Sequence, residues 1–115
     1  MSAPTIDKPT FAALQETAGV EFVIELVDTF LTEAPTMIKD LRDALAAGDA
    51  DRFRRAAHSL KSNSNTFGAL KLGAMSRELE LGGMAPVAAA GGAPLDALAA
   101  EYGHVAAALK TLADA

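Results

Sequence analysis

The chain has no cysteine and no tryptophan, and it contains only one tyrosine. The absence of cysteine excludes disulfide bonds, thiol nucleophiles and cysteine-based zinc sites, and it favours an intracellular setting. No apolar run approaches the roughly 20 residues that cross a bilayer, and the first residues lack the basic start and apolar stretch of a signal peptide. We therefore expect a soluble, cytoplasmic protein that does not bind membranes.

Basic charge is also scarce, since ten lysines and arginines stand against fifteen acidic residues and the net charge is −5. Such a chain repels phosphate backbones, so nucleic acid is not an expected partner. The 115 residues, 50% of them apolar, suit one domain covering residues 1–115 with a single modest core. Abundant alanine and leucine with few aromatic residues favour helix over strand.

The spacing of apolar residues predicts four amphipathic helices preceded by a short one. The predicted helices cover residues 8–17, 21–47, 50–67 and 69–81, and a last helix contains residues 95–112. Pro35 predicts a kink or a break near residues 32–34, and the apolar pattern that continues past it favours the kink. The segment GGMAPVAAAGGAP, residues 82–94, is interpreted as a linker whose alanine run could add a helical turn. We predict an all-α fold, an antiparallel four-helix bundle with a short additional N-terminal helix.

His58 is the first candidate for a reactive group. At about 100° per residue, one side of the third helix forms the core face, made of Phe53, Ala57, Leu60, Ser64 and Phe67. His58 falls on the opposite side with polar and basic neighbours, namely Arg54, Arg55, Lys61, Ser62 and Asn65. Exposed polar residues mostly have no specific function, which is the alternative interpretation. An exposed imidazole, however, offers a nucleophilic nitrogen near neutral pH, and nearby cations could stabilise a phosphoryl group on it.

The stretch AAHSLKSNSNTFGALKLG, residues 56–73, places Lys61 three residues after His58 and the pair Gly68-Ala69 ten residues after it. This arrangement resembles the core pattern of the histidine-containing phosphotransfer domain family, His-x-Leu-Lys-Gly followed by Gly-Ala at that distance. The flanking residues 22–45 and 68–80 are similar to the family's helices before and after the active one. The resemblance therefore spans most of residues 20–82.

The resemblance implies a four-helix bundle in which His58 carries a phosphoryl group between receiver-domain aspartates of a two-component phosphorelay. It also implies that Lys61 lies beside the phosphohistidine and that Gly68 belongs to the close-packed end of the active helix. Expected partners are response-regulator receiver domains and a hybrid sensor kinase. The helical wheel, rather than the motif, suggests Arg54, Arg55 and Asn65 as docking positions. We expect a monomer with no cofactor of its own, since Mg²⁺ and the catalytic acids would belong to the receiver.

Ser62 departs from the pattern, because the family usually has glycine at this position. Glycine leaves space over the imidazole, since a side chain at i+4 stands next to the one at i. A serine hydroxyl could bind the phosphate, slow the transfer or mark a copy that no longer carries phosphate. We expect Ser62→Gly to retain phosphorylation with an altered rate, and complete loss of phosphorylation in that variant would contradict tolerance of either residue.

Other functions have weaker support in the sequence. There is no P-loop, and 115 residues leave no room for an ATP-binding kinase domain, so self-phosphorylation from ATP is not expected. His104 lacks a lysine or glycine context like that of His58, and two distant histidines make a poor metal site. Glu78 and Glu80 are interpreted as solvated charge. Two alternatives to the phosphoryl carrier remain, namely a docking module that carries no phosphate and a plain helical scaffold.

Overall fold

The computed structural model describes residues 5–114, which form six helices joined by short turns. The helices are α1 (Lys8–Ala18), α2 (Val20–Ala47), α3 (Ala50–Thr66), α4 (Leu70–Gly82), α5 (Met84–Ala89) and α6 (Ala93–Asp114). The residues described contain no strand, so the all-α prediction is confirmed. None of the helices in this range is long and apolar enough to span a membrane.

Helix α5 corrects the prediction of a four-helix bundle with one short additional N-terminal helix. It occupies the segment interpreted as a linker, where the alanine run suggested no more than an optional turn. Glycines with positive φ at both of its ends, Gly83 and Gly91, allow the sharp changes of direction that isolate this short helix. Val87 stabilises it, because this side chain is only 2% exposed and belongs to the common core.

The four longer helices α2, α3, α4 and α6 pack as a closed ring. Helix α2 contacts α3 and α6, and α4 contacts the same two helices from the other side. The helices that a short connection joins directly, α2 with α3 and α3 with α4, run antiparallel. The core face predicted for α3 is confirmed, since its five members are all buried.

Helix α2 continues through Pro35, so the chain does not break there. Proline removes the N–H that would bond the carbonyl of Leu31, four residues earlier. The hydroxyl of Tyr102 on α6 donates to this carbonyl at 3.3 Å and supplies the missing donor. A contact between helices therefore satisfies the backbone group that proline leaves unpaired.

Both ends of α3 are fixed, which determines where its solvent face points. At the start, the carboxylate of Asp49 accepts a hydrogen bond from the backbone N–H of Arg52 at 3.1 Å. At the end, Gly68 has φ +84° and its carbonyl accepts the backbone N–H of Asp7 at 2.8 Å. A Cβ at Gly68 would lie 2.8 Å from the Asp7 carbonyl oxygen, so only glycine fits.

Candidate functional site

His58 lies on the solvent side of α3, where the helical wheel places it, and its side chain is 56% exposed. The neighbouring residues Ala57 and Leu60 are fully buried, and they fix the rotation of the helix about its axis. The imidazole is therefore presented to solvent by a rigid element rather than by a loop, a placement that favours precise orientation of a reactive group.

Glu80 of α4 holds the imidazole from the neighbouring helix. Its Oε2 atom lies 2.7 Å from Nδ1 of His58, and its side chain is only 13% exposed. Because an ionised carboxylate can only accept hydrogen bonds, Nδ1 carries the proton. In the neutral ring, the lone pair then resides on Nε2. Nε2 is therefore the ring nitrogen that could act as a nucleophile.

Lys61 donates to the other oxygen of the same carboxylate, with 2.7 Å between Nζ and Oε1. The side chain of Lys61 is 24% exposed, so it is more enclosed than the wheel alone suggested. The hydrogen bond from Lys61 is the main cause that lowers the pKa of Glu80 below its ordinary value; partial burial opposes it, and His58 adds a smaller lowering contribution. Glu80 is consequently ionised at neutral pH.

The interpretation of Glu80 as solvated charge was wrong. Helices α3 and α4 are antiparallel and joined by a tight turn, which brings together residues equally distant from residue 69. His58 is eleven positions before residue 69 and Glu80 eleven positions after it. The predicted helix ends, residues 67 and 69, centre the turn on residue 68 and would have paired His58 with position 78, so the sequence alone did not identify Glu80.

Arg54 and Arg55 are exposed, as expected, but neither is free. Arg54 bonds one oxygen of Asp51 at 2.9 Å, and Nε of Arg55 bonds the other oxygen at 2.9 Å. The three side chains together carry one net positive charge. The positive charge that Arg54 and Arg55 place beside His58 is therefore weaker than the sequence indicated.

The remaining candidate positions surround the same helix. Ser62 is exposed one turn after His58, and its carbonyl accepts the hydroxyl of Thr66 at 2.9 Å. Asn65 is also exposed, and its amide oxygen covers Gly73 of α4 so closely that a Cβ there would lie 2.0 Å from it. The structure thus brings His58, Lys61 and Glu80 into contact and leaves Ser62 and Asn65 on the adjoining surface.

His104 provides an internal comparison for His58. Its side chain is 71% exposed, and Nδ1 lies 3.4 Å from Oε1 of Glu101, a longer contact than that between His58 and Glu80. The position three residues later is Ala107, and the lysine nearest to Glu101 comes from α4 instead, with Nζ of Lys71 at 3.8 Å from the same Oε1. Within residues 5–114, no group of three or more His, Cys, Asp or Glu side chains is placed to hold a metal ion.

Comparison with known proteins identifies the family. The model of the Hpt domain matches residues 25–115 of the chain. The chain belongs to the Hpt domain family. It is similar to the crystal structure of histidine-containing phosphotransfer protein B (HptB) from Pseudomonas aeruginosa PAO1, with 32% identity and a TM-score of 0.82. That match covers 98% of this chain and 97% of the other. No curated protein matched in a sequence search.

Membership confirms the family predicted from the sequence and gives the general function. Hpt domains are phosphoryl carriers of phosphorelays, not kinases, and they interact with response-regulator receiver domains.

Proposed function

We propose that His58 accepts a phosphoryl group on Nε2 from the aspartyl phosphate of one receiver domain and passes it to the aspartate of another. The observation that carries this proposal is the 2.7 Å contact between Nδ1 and Glu80, which assigns the proton to Nδ1 and leaves Nε2 free for attack. The 56% exposure of the side chain gives a receiver access to the ring.

Lys61 has the complementary role of stabilising charge. In the unphosphorylated protein it bonds Glu80, and its position three residues after His58 places it on the adjacent helical turn. We expect its ammonium group to stabilise the phosphoryl oxygens as well, because charge-assisted hydrogen bonds to phosphate are strong. We expect Mg²⁺ and the acidic groups that assist transfer to be supplied by the receiver domain.

The receiver would dock over the exposed side of α3, around His58. Arg54, Arg55 and Asn65 lie on this side and are the candidate contacts. A hybrid sensor kinase would contribute one of the receivers. We also expect the protein to act as a monomer in the cytoplasm and to gain no phosphate from ATP alone.

The test is phosphoryl transfer from a panel of phosphorylated receiver domains, followed by phosphate-affinity gels and intact mass. Wild type is compared with His58→Gln and with His104→Gln, which removes a more exposed histidine that also lies near a glutamate. Acid-labile transfer that is lost only in His58→Gln supports the proposal. Receiver binding without transfer would favour the docking module, and an unchanged His58→Gln protein would favour the scaffold.

A further inference from the structure

Glu80 is fully engaged at the reactive histidine, yet it does not lie on the side of the ring that would carry phosphate. One oxygen accepts Nδ1–H of His58 and the other accepts Nζ of Lys61, each at 2.7 Å. Nε2 lies on the far side of the ring from Nδ1. Glu80 can therefore keep its hydrogen bond to the ring while a phosphoryl group is attached to Nε2.

We propose that Glu80 is a positioning residue that keeps Nδ1 of His58 protonated throughout the transfer, so that the phosphorylated side chain is a cationic N-phosphoimidazolium. This inference rests on the proposed function, because it concerns the phosphorylated form of His58. It adds that the carboxylate controls the charge of the carrier and thereby its power as a phosphoryl donor.

The transfer balances without any proton entering or leaving the site. In the first step, the lone pair of Nε2 forms a bond to phosphorus while the phosphorus–oxygen bond of the aspartyl phosphate breaks, releasing a carboxylate. The ring keeps Nδ1–H and gains one positive charge, which lies next to the Glu80 carboxylate. In the second step, the Nε2–phosphorus bond breaks as the receiving aspartate attacks, and the ring departs as neutral imidazole.

The proton on Nδ1 decides how good a leaving group the ring is. Without it, the ring would have to depart as an imidazolate anion, which is a much poorer leaving group than neutral imidazole. A carboxylate beside Nδ1 favours the charged form of the ring. The hydrogen bond from Nδ1 to Glu80 therefore keeps the ring in the form that departs as neutral imidazole.

The charged groups around the ring allow this role for Glu80. Lys61 on α3 binds the same carboxylate and favours its ionised form. Arg54 and Arg55, one turn earlier on α3, are both bonded to Asp51 rather than to Glu80. The negative charge closest to Nδ1 is consequently that of Glu80.

The decisive variant is Glu80→Gln, which keeps an oxygen that can accept Nδ1–H but removes the charge. Glu78→Gln is the matched control, because Glu78 is exposed on the same helix two positions earlier. The three proteins are phosphorylated with phosphoramidate, a small donor that needs no receiver. Intact mass and ³¹P NMR then follow the loss of phosphate at about pH 8 and about pH 5, limits between which imidazole groups commonly titrate.

We expect the phosphorylated Glu80→Gln protein to survive several-fold longer than wild type at the higher pH. At the lower pH the lifetimes should converge, because solvent protonates the ring in either protein. Glu78→Gln should match wild type at both values. Equal lifetimes of wild type and Glu80→Gln at the higher pH would overturn the role of Glu80 while leaving His58 as a carrier.

A second measurement separates this inference from the carrier proposal. ¹⁵N NMR of the phosphorylated protein identifies which ring nitrogen bears phosphorus, and bonding at Nε2 is expected. Phosphorus on Nδ1 would overturn the role of Glu80, because the carboxylate could not then hold a proton there. Failure of phosphoramidate to label His58 in the folded protein would overturn the carrier proposal and this inference together.

Discussion

Glu80 shows that the contacts of a single residue can depend on the helix that faces it. Within α4, Glu80 lies beside the buried residues Ser76 and Leu79, so its own helix does not reveal whether it is solvated. The antiparallel pairing with α3 makes it the partner of His58 and Lys61. The sequence motif made the histidine and the lysine candidates because they share one helix, whereas the carboxylate required knowledge of how two helices align.

The bridge made by Glu80 predicts a specific dependence of stability on acid. The pKa of Glu80 is lowered from 4.5, chiefly by the hydrogen bond from Lys61. A carboxyl whose folded-state pKa is lowered contributes stability that is present above its unfolded value and is lost as the pH falls through the folded value. The stability advantage of wild type over Glu80→Gln should therefore shrink as the pH falls from about 5 to about 3.

Urea unfolding of both proteins across this pH range measures the effect. Glu78→Gln again serves as the control, since Glu78 lies on the exposed surface. A difference between wild type and Glu80→Gln that stays constant down to pH 3 would mean that the carboxylate of Glu80 does not stabilise the folded state through its charge.

At the scale of elements, α2 shows how packing allows a helix to include proline. The sequence predicted a kink or a break near Pro35, and the helix continues through this residue without a break. The donor that satisfies Leu31 belongs to Tyr102, seventy-one residues away in the chain. Such a long-range contact cannot be deduced from the local pattern. The short helix α5 was missed for a related reason, because its stability comes from the burial of Val87 rather than from its own six residues.

A double-mutant cycle can test whether the Tyr102 hydroxyl replaces the backbone donor that Pro35 lacks. Tyr102→Phe should reduce the free energy of unfolding by about 1 kcal/mol, because it leaves the Leu31 carbonyl without its donor. In the Pro35→Ala background, the restored N–H can bond this carbonyl, so the same change should cost much less. Chemical denaturation of the four proteins gives the coupling, and equal costs in the two backgrounds would show that the hydroxyl does not compensate for proline.

The turn after α3 supports a second prediction at this scale, because two glycines with similar φ differ in their surroundings. Gly48 has φ +70° with nothing within 4 Å of an added Cβ, whereas Gly68 has φ +84° and faces the Asp7 carbonyl at 2.8 Å. Gly48→Ala should cost about 1 kcal/mol, the penalty of a left-handed conformation alone. Gly68→Ala should cost about 2 to 4 kcal/mol, because backbone must also move.

Thermal or urea unfolding of these two variants isolates the contact with Asp7. Both substitutions add the same methyl group at a positive φ, so the excess cost at Gly68 measures the close approach of the chain before α1. Similar costs at the two positions would show that residues near Asp7 yield easily and that Gly68 is needed only for its conformation.

At the scale of the whole molecule, the sequence predicted those features of the fold that follow from the periodic spacing of apolar residues. The positions of the four long helices and the core face of α3 follow from apolar spacing, and their ends differ from the structure by about one residue where the sequence defined them. The contacts that side chains make with one another could not be predicted from this spacing. The helical wheel grouped Arg54 and Arg55 with His58 as a positive strip, but it gave too little weight to Asp51, which accepts bonds from both arginines.

This arrangement of charges predicts how the rate of association with a phosphorylated receiver domain depends on the surface around His58. An aspartyl phosphate is anionic and the protein has a net charge of −5, so the one net positive charge shared by Arg54, Arg55 and Asp51 should orient the approach locally. Arg55→Glu should lower the bimolecular rate of phosphotransfer roughly two- to tenfold at low ionic strength, and salt should reduce the difference. Lys110→Glu is the control, because it changes the net charge equally at an exposed position on α6. Stopped-flow transfer with one phosphorylated receiver measures both variants, and an equal slowing by Lys110→Glu would mean that overall charge, rather than the surface around His58, directs the encounter.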